Sequence, residues 1–107
     1  WADAACQGNP NLVGPCFSVR GKLAGYQGYP EWRIWWVGTK RILGVAGHED
    51  PLVPADIRKI LDAPEFDFDR SAIYADFLVC PFTRQEPEVM QFVCGELAKN
   101  IRVGRRE

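Results

Sequence analysis

Strict alternation begins just after Cys16. Phe17, Val19, Gly21 and Leu23 fall on one side of an extended chain and Ser18, Arg20, Lys22 and Ala24 on the other, the period-two pattern of a half-buried strand. The cluster Gly25-Tyr26-Gln27-Gly28-Tyr29-Pro30 then supplies a turn, since glycine accepts positive φ and proline fixes the exit. Trp32 to Thr39 is dense in aromatic and β-branched residues and predicts a second strand, hairpinned to the first, with a third over Arg41 to Ala46. His48-Glu49-Asp50-Pro51 ends this run. Pro54 suits the first position of a helix, where the N–H it lacks would be unpaired anyway, and Val53, Ile57, Ile60 and Leu61 form one apolar stripe.

Glu65-Phe66-Asp67-Phe68-Asp69 reads as an acidic linker, and Ile73, Ala75, Phe77 and Val79 predict a fourth strand closed by Pro81. The last segment fits two patterns. Val89, Phe92, Val93, Leu97 and Ile101 match the stripe of a helix over 87–98, yet a strand over Gln91 to Leu97 carries Cys94 back across the end of strand four and is preferred. The order is then β-β-β-α-β-β, which predicts an all-β fold with one helix, a small five-stranded OB-fold-like barrel with strand four beside strand five. The alternative is an α+β sandwich with a C-terminal helix. Residues 1–15, rich in Ala, Gly, Asn and Pro, are expected to form an irregular arm, and 16–107 a single OB-like β domain.

The four cysteines, Cys6, Cys16, Cys80 and Cys94, are expected to form two disulfides, the simplest pairing being Cys6 with Cys16 and Cys80 with Cys94. The gaps between them contain no C-x₂-C knuckle of the kind that structural zinc sites favour, so no metal is assigned. The opening Trp1-Ala2-Asp3-Ala4-Ala5-Cys6 reads as the start of a mature protein after signal cleavage, and with paired cysteines it points to an exported, periplasmic setting. Gly14-Pro15-Cys16-Phe17-x-Val19-Arg20-Gly21, Arg33-Ile34-Trp35-x-Val37-Gly38-Thr39-Lys40-Arg41-x-Leu43-Gly44-Val45 and Ala75-Asp76-Phe77-Leu78-Val79-Cys80-Pro81-Phe82 resemble small exported proteobacterial proteins of unassigned function. The resemblance covers most of the chain from Gly14 onward. It implies export and carries no activity.

Composition narrows the classes. With 107 residues, 47% of them apolar and 25% charged, the chain makes one domain with one modest core. Its uncharged apolar runs fall well short of the ~20 residues of a membrane-crossing helix. The 13 basic and 14 acidic residues nearly balance, which removes the simplest argument for nucleic acid as a partner. The charges are nonetheless segregated: residues 17 to 48 carry five bases and one acid, residues 49 to 76 eight acids and three bases.

Candidate chemistry centres on the second strand. Trp35 and Trp36 are neighbours and must point to opposite faces, so at most one enters the barrel. Tyr26, Tyr29, Trp32, Arg33, Trp35 and Arg41 are the candidate ligand-binding residues, aromatics giving contact area and arginines orienting a polar or anionic small ligand, glycan or peptide. The plainer possibility is that these aromatics only cover a small core. No cofactor and no catalytic residue is assigned, because no nucleophile, base and orienting group stand at suitable spacing. The expectation is therefore a non-enzymatic module or, alternatively, a subunit meeting an envelope protein partner. A small envelope hydrolase with His48 or Asp76 as base is the remaining option. Asp76, on an apolar strand, more simply pairs with Arg20 or Arg33, and Glu65, Asp67 and Asp69 more simply form a solvated linker than a Ca²⁺ site.

Overall fold

The computed structural model describes residues 6, 8–47 and 50–106. His48, the base considered for a hydrolase, and the first five residues of the arm lie outside them. Five strands, β1 (Phe17–Gly25), β2 (Trp32–Trp36), β3 (Ile42–Val45), β4 (Ser71–Pro81) and β5 (Gln91–Arg105), and one helix, α1 (Ala55–Asp62), follow one another in the expected order. The strands close into a barrel in the spatial order β1-β2-β3-β5-β4, with β3 and β5 parallel and every other pair antiparallel. That is the OB arrangement, and strand four lies beside strand five as the sequence pattern requires.

β1 belongs to both halves of the barrel. Phe17 to Leu23 pair with β4 while Gly21 to Gly25 pair with β2. The strand crosses the core where the two pairings overlap, at Gly21, and a Cβ there would stand 3.0 Å from the Phe77 ring and closer still to Ile34. Glycine is thus the residue that lets β1 pass over these two side chains. Val19, Leu23, Ile34, Leu43, Val45, Ile73, Phe77, Val79 and Val93 fill the interior. After β3, the chain places Pro54 at the helix N-cap, and Ile57 is fully buried against the barrel core, flanked by Ile60 and Leu61 from the same stripe. At eight residues, α1 is too short to cross a membrane, and no described helix is long and apolar enough to do so.

Three boundaries differ from the sequence reading. β2 stops at Trp36, because Val37 to Lys40 form the turn into β3, in which Thr39 N–H bonds to Trp36 O (3.0 Å). β3 is correspondingly trimmed to Ile42–Val45. β5 is a strand and not a helix, and it runs eight residues beyond Leu97 to pair with the start of β4. Two register shifts against β4, near Gly95 and near Asn100, reset its parity, so Val93, Ala98 and Ile101 all face the core although they are five and three residues apart.

The cysteines all form disulfides, but the pairing by nearest neighbours is wrong. The bonds are Cys6–Cys94 and Cys16–Cys80, 88 and 64 residues apart. Cys80 and Cys94 are indeed directly opposed across β4 and β5. Each nevertheless takes its partner from the arm, which lies over that end of the barrel wall with Val13 N–H bonded to Pro81 O (3.0 Å). Cys6, Cys80 and Cys94 are buried there with Leu12, Cys16, Leu52 and Phe82 in a second, smaller core outside the barrel.

Candidate functional site

Parity decides which side chains reach the outer wall of β2 and β3. Ile34 is buried, so Trp32 and Trp36 share its inward face and Arg33 and Trp35 point outward. On β3, Leu43 and Val45 are buried, leaving Ile42 and Gly44 outside. Registration sets Trp35 opposite Ile42, Arg33 opposite Gly44, and Gly44 in turn beside Phe92 of β5.

The loops at either end of the barrel meet over this wall. A Cβ on Gly44 would lie 2.7 Å from Pro30 Cγ and 2.9 Å from Met90 Sδ, so only glycine allows the β1–β2 loop and the β4–β5 loop to close together above β3. Tyr29 from the first loop stacks on Phe92 with ring centroids 5.8 Å apart. Beyond them a cleft of about 290 Å³ opens between β3 and residues 85–90, bordered by Lys40, Ile42, Glu86, Glu88 and Val89. It offers both charge signs and two exposed apolar side chains, Ile42 at 39% and Val89 at 58%. A second shallow hollow of about 420 Å³ lies against Tyr26, Gly28, Tyr29 and Phe68.

Four of the six candidate residues stand on or above this wall. The Trp35 indole lies across the β2–β3 turn, its Nε1–H donating to Thr39 O at 2.8 Å. The Arg33 guanidinium lies 4.8 Å from the Tyr26 ring centroid, while its Nε donates to Pro30 O at 3.0 Å. Arg106, near the chain end, stacks on the same ring at 4.7 Å. Tyr26 therefore serves as a prop for two guanidiniums, of which Arg106 is also held by the Phe68 and Asp69 carbonyls, to which its Nη1 donates.

The other two are placed differently. Trp32 faces the core and packs edge-on to Phe68, with centroids 5.4 Å apart, and against Phe66. Arg41 lines the 290 Å³ cleft beside Lys40 and Ile42, lies over the Trp36 ring at 4.8 Å and donates to Gln91 Oε1 at 2.7 Å, and Gln91 itself donates to Thr83 O. This network closes the barrel end beneath the β4–β5 loop. Trp36 stacks on Phe17 at 5.9 Å, so of the two adjacent tryptophans Trp36 joins the core and Trp35 the outside.

The wall also contains residues that the sequence reading did not single out. Lys22 is registered opposite Trp35 on one side and Tyr74 on the other, and Tyr74 opposite Arg102. No local pattern announces this row, because its members come from four strands.

Asp76 is held by two polar neighbours. Arg20, its registered partner, approaches its Oδ1 at 3.2 Å, and Asn100 Nδ2 donates to its Oδ2 at 2.7 Å. Glu65, Asp67 and Asp69 do not converge as a ligand set among the described residues, and Asp67 Oδ1 instead accepts the Asp69 N–H at 2.9 Å. The class the structure defines is thus an OB-type barrel, fastened by two disulfides, with an aromatic and cationic outer wall. No protein-family model, curated protein or solved structure matches the chain.

Proposed function

We propose that this chain is an exported, periplasmic, non-enzymatic binding module that takes a polar or anionic ligand, a glycan or peptide, on the outer wall of β2 and β3. The observation that carries this reading is the pairing of Trp35 with Ile42 beside a cleft that holds charges of both signs. Arg33, steadied by Tyr26 and Pro30, is preorganised to orient a carboxylate or hydroxyl, and preorganised polar groups lower the cost of binding. The two disulfides support export, since such bonds persist in oxidising compartments. The resemblance to small exported proteobacterial proteins points the same way.

A subunit role in an envelope assembly is the second reading, favoured by the exposure of Val89 at 58% at the cleft and of Tyr29 at 56% at the neighbouring hollow. Titration with soluble glycans and short peptides, followed by tryptophan emission, separates the two. The binding-module reading expects a saturable change that Trp35→Ala weakens about tenfold or more, as loss of a central aromatic anchor does. If Trp35→Ala lowers stability sharply and leaves every interaction unchanged, Trp35 only covers the barrel and the proposed face is wrong.

A further inference from the structure

The wall continues past β2 onto β1, β4 and β5, and there its chemistry changes from mixed to cationic. Two registered rows lie side by side. Lys22, Tyr74 and Arg102 form one, and Arg20, Asp76 and Lys99 the other. They contain four cations and one carboxylate, in a chain whose net charge is -1, so the remainder of the chain holds a surplus of four negative charges. Arg20 is engaged with Asp76. Among the described residues the Lys22 and Lys99 side chains have no acceptor, and the Arg102 guanidinium has only the Tyr74 ring, 4.8 Å away.

Tyr74 is itself pinned by its hydroxyl, which donates to Arg105 O at 2.7 Å. Arg102 is exposed, and contact with a fixed ring leaves its N–H groups available to a carboxylate or sulfate, which a guanidinium binds in two-point fashion. Strands stand about 4.8 Å apart and alternate residues repeat about every 6.7 Å along a strand, so the free cations are spread over a track longer than one small anion.

We propose that the outer wall of β1, β4 and β5 is a second binding site, for a linear acidic polysaccharide whose carboxylate or sulfate groups engage Lys22, Lys99 and Arg102. This site does not depend on the reading of the β2–β3 wall. Each exposed cation alone contributes little, and successive contacts along one polymer supply the affinity by raising effective concentration. Single-stranded nucleic acid is the poorer fit, because its binding relies on bare aromatic faces for base stacking and the Tyr74 face is taken by Arg102. A bilayer is also a poorer fit. The barrel wall is convex across its strands, so a flat anionic surface does not reach a row's members on β1, β4 and β5 together, whereas a flexible chain follows the curve.

The test is calorimetric titration of the intact, oxidised protein with polygalacturonate and heparin oligosaccharides at low ionic strength. Neutral dextran, oligo-dT and vesicles of phosphatidylglycerol are run beside them. The expected result is binding to at least one acidic polysaccharide, none to dextran, and loss of affinity as salt screens the track. Lys22→Gln combined with Arg102→Gln weakens it at least about tenfold, the size of one lost charge-assisted hydrogen bond. Lys99→Glu, at an exposed position, weakens it without touching Tyr74 and serves if the double variant unfolds. Lys59→Gln, which removes the same charge from the helix, leaves it unchanged. No binding to either polysaccharide overturns the proposal, as does undiminished binding by the folded charge variants. Tighter binding to oligo-dT or to vesicles overturns it by assigning the track to another class of partner.

Discussion

Reduction of both disulfides is expected to abolish the cooperative unfolding transition. In the chain-entropy account, a bridge closing a loop of the size set by Cys16–Cys80 contributes about 4 kcal/mol. With that bond in place, Cys6–Cys94 closes only the ring made by 6–16 and 80–94, about 25 residues, and adds about 3.5 kcal/mol. Together these approach the whole stability of an ordinary small domain, about 5–15 kcal/mol. Urea unfolding with and without a phosphine reductant measures the effect. A midpoint that moves by less than about 1 M on full reduction contradicts it, because a domain of this size loses about 1–1.5 kcal/mol per molar urea. Peptide mapping of the oxidised protein should recover the links 6–94 and 16–80. Recovery of a direct 80–94 link contradicts the way the arm is fastened.

Phe77→Ala is expected to have the largest effect of any single substitution. Phe77 is the largest fully buried side chain among the described residues, at 1% exposure, and its ring fills the space that Gly21 leaves open where β1 crosses the core. Truncation removes contacts from two walls of the barrel at once and should cost about 3–5 kcal/mol. For a domain of this size that corresponds to a fall of about 15–30 °C in Tm. Leu97→Ala, on the outer wall at 54% exposure, serves as the comparison and should stay within about 0.5 kcal/mol of wild type. A Phe77→Ala protein as stable as the Leu97→Ala one contradicts the placement of the core.

What the sequence made legible, and what it did not, follows from locality. β1 was readable because its inward residues keep parity from Val19 to Leu23, and the division of Trp35 from Trp36 follows from the pleat alone. β5 was ambiguous because two bulges break that parity. Val93, Leu97 and Ile101, four residues apart, suit a helix face, whereas in the strand Val93 and Ile101 face the core and Leu97 lies outside.

The disulfide pairing was beyond sequence reach. It depends on the arm lying over β4 and β5, and that is a tertiary contact with no local signature. Grouping six candidate residues by proximity failed for Trp32, which is three positions from Trp35 and so on the opposite face of the same strand. Arg41 does line the cleft beside Ile42, but its acceptor there was not legible, because Gln91 is brought to β3 only by the parallel pairing with β5. The row Ile42, Trp35, Lys22, Tyr74 and Arg102 is assembled entirely by register across five strands, and no window of sequence contains it.

The proposed ligand wall is tested most directly by amide chemical-shift perturbation during titration of the oxidised protein with short glycans and peptides. The account predicts that shifts on binding concentrate at Tyr29, Arg33, Trp35, Ile42 and Phe92, which share one wall and the loop folded over it. Shifts confined to the helix and the Glu65–Phe68 segment, or no shifts with any ligand in the set, would contradict it.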